Sequence, residues 1–114
     1  MIVLKRIYDK SEEKDGYRIL IDRLWPRGVS KDEAKIDLWL KEVAPSNELR
    51  KWFSHDIKKW DDFKSKYKKE LKGNLEIVQK IRQIEKEEKI VALIYSAKDE
   101  KHNNAVVLKE FLQK

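Results

Sequence analysis

Between Asp15 and Ser30 every basic side chain is an arginine: Arg18, Arg23 and Arg27. Elsewhere the 114-residue chain relies on lysine, with 21 Lys against six Arg in all. The switch matters because the guanidinium is a planar, permanently charged fork that matches the oxygens of a phosphate or carboxylate, as an ammonium does not. The competing explanation is an internal Arg–Asp bridge, with Asp22 the obvious partner. A second concentration of polar groups follows the most apolar run of the chain: Ser96, Lys98, His102, Asn103 and Asn104. Helix capping by Asp99 or Asn103 would account for one or two polar residues there, not for all. Asp22, Lys98 and His102 carry acid–base capacity. Arg23, Arg27, Ser96, Asn103 and Asn104 are the candidates for holding an anion.

Other chemistries find less support. There is no cysteine, hence no thiolate or disulfide chemistry. Neither His55 nor His102 has a second His or Cys at ligand spacing, which argues against a zinc site, and no cofactor is called for. Gly16, Gly28 and Gly73 lie too far apart for a phosphate loop, and Ser96 lacks the flanking glycines of a nucleophile elbow. His55 with Asp56 could form an oriented base, but a surface helix end is the simpler reading.

The elements that must position these groups follow from periodicity. Residues 2–8 (IVLKRIY) and 18–22 (RILID) predict strands, the second buried on both faces. Pro26 and Gly28 keep RLWPRGVS irregular. Residues 36–40 (IDLWL) alternate as a third, half-exposed strand with Asp37 and Trp39 outward. Ser46 is placed to cap a helix that presents Leu49, Trp52 and Phe53. Trp60, Phe63, Tyr67 and Leu71 recur at helical spacing and read as core, not as a base-stacking platform. A third helix follows Gly73, with Asn74 as its expected cap. Residues 90–95 (IVALIY) are apolar without alternation, as suits a central strand covered on both faces. A last helix uses Ala105, Leu108, Phe111 and Leu112. The order β–β–β–α–α–α–β–α predicts one α/β domain, residues 1–114, around a small sheet. Ligands of such sheets gather beyond the carboxyl ends of parallel strands, which selects residues 22–28 and 95–104 as the site.

Composition sets the remaining bounds. Hydrophobic residues at 40% suffice for one core, while charged residues at 42% are far above the usual quarter. No apolar run approaches the ~18 residues of a membrane span, so a soluble cytoplasmic protein is expected. The net charge of +6 permits nucleic acid as the alternative partner, through the Lys-rich stretch at 57–72. Abundant Lys and Glu with few Gly also resemble thermophilic composition, which would explain the charge without a ligand. Nothing in the composition settles the oligomeric state.

The blocks ILIDRLWPRGVSKDEA, APSNELRKWFSHD, WDDFKSKYKKEL and LIYSAKDEKHNNAVVLKEFL together resemble the YeaO-like branch of the domain-of-unknown-function 488 family, over nearly the whole chain. The resemblance implies a small Rossmann-like α/β domain with a mostly parallel sheet of about four strands flanked by helices. It implies no particular reaction. The wider family often carries Asp-Val-Arg after the second strand and Cys-His-Arg near the last helix. Here Asp22-Arg23 stands at the first place. Lys101-His102-Asn103 stands at the second, keeping the His without the Cys and Arg, so no thiol-dependent role transfers. The resemblance also bears on the link at residues 9–16, which is short for a parallel crossover of a dozen or more residues. Local reasoning points to a hairpin, the resemblance to parallel strands. The parallel arrangement is expected here, and it puts Arg6 at the same sheet edge as Arg23. The functional expectation is a phosphorylated small molecule or nucleotide bound at that edge, with catalysis undecided. The alternative is a non-catalytic nucleic-acid-binding or interaction module.

Overall fold

In the computed structural model, which describes residues 1–113, the apolar run near the C-terminus becomes the spine of the sheet. All five residues of β4 (Val91–Tyr95) are buried. It pairs in parallel with β1 (Ile2–Arg6) on one side and β2 (Tyr17–Leu20) on the other. The two-residue β3 (Leu38–Trp39) joins β2, also in parallel, giving the order β1-β4-β2-β3. Every carboxyl end therefore emerges at one edge.

The first two strands are parallel, as expected, but they are not neighbours, because β4 lies between them. Their link, residues 7–16, crosses the sheet without a helix and contains a single 3-10 turn at Glu13–Asp15. Such a link must return about 17 Å along the strands and move about 10 Å across them, within the roughly 33 Å that ten extended residues span. Gly16 makes the crossing possible. Its φ is +72°, and a Cβ there would lie 2.3 Å from the Ile90 carbonyl oxygen.

Strand alternation splits the apolar residues between two cores. Ile19, Ile21, Val91, Leu93 and Tyr95 face α2 (Asn47–Phe53), α3 (Trp60–Lys72), α4 (Leu75–Glu88) and α5 (Asn104–Leu112). The aromatic stripe of α3 is core here: Phe63, Tyr67 and Leu71 are buried, and the Tyr67 hydroxyl donates to the Val43 carbonyl at 2.6 Å. Leu20, Ala92 and Ile94 face the opposite way, into a thinner core with Ile7 and Ala34. That side is covered by loops and the one-turn α1 (Lys31–Ala34), which the periodicity did not anticipate. Its signal was nonetheless present: Ser30 and Glu33 form a reciprocal cap, Ser30 Oγ accepting from Glu33 N and donating to Oε1. Trp39 is half-buried in this thin core, not outward. It packs edge-to-face on Trp25, with centroids 5.5 Å apart, and its indole N–H donates to the Asp22 carbonyl.

Ser46 caps α2 as expected, its Oγ accepting from Leu49 N. Asn74 precedes α4 but does not cap it through its side chain, which donates to the Glu42 carbonyl instead. Among the described residues, no helix is long and apolar enough to cross a membrane.

Candidate functional site

A cleft of about 790 Å³ opens at the carboxyl edge of the sheet. Asp22 and Arg23 enter it from the end of β2, and Ser96, Lys98, His102, Asn103 and Asn104 from the β4–α5 connection. The structure thus brings together seven of the eight residues that the sequence singles out. Arg27 is the exception. It is exposed outside the cleft lining, and its backbone carbonyl accepts from the Tyr8 hydroxyl.

Asp22 works as a latch. Its Oδ2 accepts from Ser96 N at 2.9 Å and Ser96 Oγ at 2.7 Å, and its Oδ1 from Asn104 Nδ2 at 3.2 Å. Three of roughly four lone-pair positions on the carboxylate are taken. The latch joins the ends of β2 and β4 to the first residue of α5, and Asn104 Nδ2 also reaches the Ile21 carbonyl. Asn103, 2% exposed, is the N-cap of α5: Oδ1 accepts from Val106 N and Nδ2 donates to the Asp99 carbonyl.

Asp99 organises the turn before it. Its Oδ1 accepts from the backbone N–H of Lys101 and His102, and its Oδ2 lies 2.9 Å from His102 Nδ1. The Lys101 N–H, together with both contacts from His102, holds the Asp99 carboxyl below its ordinary range despite some burial. The His102 ring stands edge-on to Trp60 at 5.2 Å. Its Nε2 has no protein partner among the described residues.

Two arginines fasten the walls. Arg6, at the end of β1, donates to the carbonyls of Ala97 and Ser96, and Arg23 donates from Nε and Nη2 to those of Pro45 and Ala44. Arg6 and Arg23 do share one sheet edge, as the parallel reading requires. The Arg–Asp bridge suspected from sequence also exists, with different members: Arg18 pairs with Asp15 at 2.7 Å, not with Asp22.

Among the polar lining residues, Arg50 and Lys51 of α2 and Ser54 just beyond it escaped the sequence reading, and His55, read there as a surface helix end, lines the cleft as well. Arg50 is another Arg in a Lys-rich chain, and His55 is one of only two histidines, which were the available signals. Ser54 and His55 have φ of 45° and 58°, left-handed conformations that cost a non-glycine residue roughly 1–2 kcal/mol each. Arg23, Arg50, Lys51 and Lys98 form no ion pair among the described residues. No group of three or more His, Cys, Asp or Glu among those residues is placed to hold a metal ion.

A family model described as the inactive DUF488-N3 subclade matches residues 1–114. The uncharacterized protein YeaO of Escherichia coli is 42% identical over 112 residues, covering 98% of this chain and 96% of the relative. The uncharacterized protein Rv3073c of Mycobacterium tuberculosis is 46% identical over 66 residues, 58% of this chain and 56% of its own. No solved structure matches significantly. The chain belongs to the inactive DUF488-N3 subclade.

Proposed function

We propose that this member of the inactive subclade binds a phosphorylated small molecule or nucleotide in the cleft and releases it unchanged. The observation that carries the reading is an imbalance of available charge. Four cations line the cleft without an ion-pair partner among the described residues, whereas Asp22 and Asp99 are already engaged by donors of the protein itself. Arg23 retains Nη1 for an anion after fastening the Pro45 segment, and Arg50, Lys51 and Lys98 supply the remaining charge. The site is deep enough in polar donors to orient a phosphate and large enough for a nucleotide.

Binding without turnover is supported by the state of the acid–base groups. Asp22 keeps little free acceptor capacity and serves the latch, while His102 and Lys98 act as ligand contacts. The subclade's description as inactive agrees with this reading, as does the loss of Cys and Arg around His102.

A thermal-shift screen at low salt tests it, using inorganic phosphate, nucleotides, sugar phosphates and short oligonucleotides. A ligand at 100 times its Kd adds about 2.7 kcal/mol, a clear shift. The expected result is stabilisation by a small phosphorylated compound that is recovered intact and is lost in Arg50→Glu/Lys51→Glu. Absence of any shift overturns the reading, and recovery of a converted compound overturns the claim of no turnover. Stabilisation by oligonucleotides alone, abolished by salt, would favour the nucleic-acid module. One feature favours that second reading: exposed Trp52 carries the ammonium groups of Lys59 and Lys66 within 5.1 and 5.2 Å of its ring. Against it, Lys64 and Lys68 of the same basic stretch are paired with Glu110 at 3.2 and 3.1 Å.

A further inference from the structure

The chain has only two histidines, far apart in sequence, and both line the same cleft. His55 follows α2 in a left-handed backbone conformation, and His102 precedes α5 with its Nδ1 held by Asp99. A series of neighbouring aromatic rings connects them. The His55 ring is 6.2 Å from Phe53, Phe53 is 5.9 Å from Trp60, and Trp60 is 5.2 Å from His102.

The charges around the pair come from every neighbouring element. Arg50 and Lys51 of α2 line the cleft with His55, and Asp56 beside it accepts from the Lys58 N–H through Oδ1. Asp99 and Lys98 flank His102 from its own turn, and Lys64 of α3 lies 5.9 Å from the Trp60 ring that His102 touches. Asp22 and Arg23 line the same cleft from the end of β2. In the free cleft the cations Arg23, Arg50, Lys51 and Lys98 outnumber the carboxylates Asp22 and Asp99. An entering dianion offsets that excess for both rings at once.

We propose that the anion bound in the cleft is a terminal phosphate held between the imidazolium rings of His55 and His102, so that binding takes up protons. This rests on the anion-binding reading above and narrows it from any phosphorylated compound to a phosphomonoester. A monoester approaches two negative charges near neutral pH, its second ionisation lying near 6, whereas a diester carries one. Imidazole titrates in the same range but loses its charge as the monoester gains one, so around neutral pH the bound dianion and the two imidazolium rings stabilise each other's charged forms. His102 Nδ1 stays on Asp99, and the ring's Nε2–H contacts the phosphate.

The two imidazole C2–H signals are readily followed by proton NMR from pH 5 to 8.5, with and without saturating inorganic phosphate. Both midpoints are expected to rise by about half a unit or more when phosphate is bound. His55→Gln and His102→Gln are each expected to weaken phosphate binding roughly three- to tenfold at pH 6 and less than about twofold at pH 8. If the amide signals of Arg50, Lys51 and Ser96 move with phosphate while either histidine midpoint stays in place, the paired arrangement is wrong and the anion-binding reading survives. If those amide signals do not move at all, both fail together.

Discussion

Asp15 stands just before β2 and Asp22 just after it; Asp15 gathers donors from nearby residues of the chain, Asp22 from the distant β4–α5 connection. Around Asp15 the partners are cations. Lys5 Nζ lies 3.0 and 3.1 Å from its two oxygens, Arg18 Nη1 is 2.7 Å from Oδ2, and Glu12 N adds a third donor. Arg18 spends its remaining fork on the Ala34 carbonyl, at 3.2 and 2.9 Å. Asp15 and Arg18 are each 4% exposed. Around Asp22 the donors are neutral, a serine and an asparagine, and the nearby Arg23 bonds only to carbonyls. One end of the strand is therefore a closed ion cluster. The other keeps its carboxylate hydrogen-bonded and its arginine un-neutralised, which leaves positive charge available to a visitor. Carboxylates neutralise arginine charge, whereas carbonyls hold the side chain and leave the charge in place.

The largest expected effect comes from breaking the closed end. Asp15→Asn leaves Arg18 buried without its counter-charge and should cost about 3–5 kcal/mol in urea unfolding. Burial pushes the Asp15 carboxyl up, but the Glu12 N–H and the cations Lys5 and Arg18 outweigh it, so the group titrates below its ordinary range. A depressed folded value means the stabilisation is complete above the unfolded value of about 3.9 and disappears as pH falls through the folded one. The wild-type stability should therefore fall steeply on acidification below about pH 4, and the Asp15→Asn profile should be flatter there.

The arginines separate next. Arg18→Ala should destabilise by about 3 kcal/mol or more, since it strands both Asp15 and the Ala34 carbonyl. Arg23→Ala should cost about 1–2 kcal/mol and abolish phosphate-induced stabilisation. A reversal of that order would mean Arg23 is the structural member of the pair and would remove it from the site.

Asp22→Asn should cost no more than Arg23→Ala, about 1–2 kcal/mol, because the amide oxygen can keep both Ser96 donors while its NH2 opposes that of Asn104. Phosphate affinity should hold or increase, since a negative charge leaves the cleft. A loss as large as that of Asp15→Asn would erase the distinction between the two ends. The smallest effect is expected at His55. His55→Gly relieves the left-handed backbone and should raise stability by up to about 1 kcal/mol, offset in part by unfolded-chain entropy, while phosphate binding weakens.

Much of the frame was legible in local pattern. The unbroken apolar run of β4, the three-and-four spacing of Trp60, Phe63 and Tyr67, and the Ser46 cap all became what their spacing implies. A second covered face accounts for one misjudged residue and for the one point on which local reasoning and the family resemblance disagreed. Trp39 was expected outward, yet the loop carrying Trp25 lies over it. The link between the first strands looked too short, yet it crosses a face that no long helix occupies. The site was legible in composition more than in position. The Arg-only window and the polar cluster after β4 marked the right edge of the sheet, whereas Arg50 and Lys51 reached the cleft from a helix read only for its apolar face, and His55 from the turn beyond it, read as a surface helix end.

By itself the sequence determined the element types, the central strand, the residues that must be buried and the chemical character of the site, because these follow from side-chain periodicity and group identity. Only the tertiary structure decided the fate of each charge. Arg18, Arg23 and Arg27 are alike in sequence and sit within ten positions (27 − 18 + 1), yet one is buried on a carboxylate, one fastens a cleft wall and one is exposed. Desolvation and the distance to an opposite charge set those outcomes, and both depend on segments that arrive from elsewhere in the chain: Lys5 and Ala34 at one end of β2, Ala44, Pro45, Ser96 and Asn104 at the other.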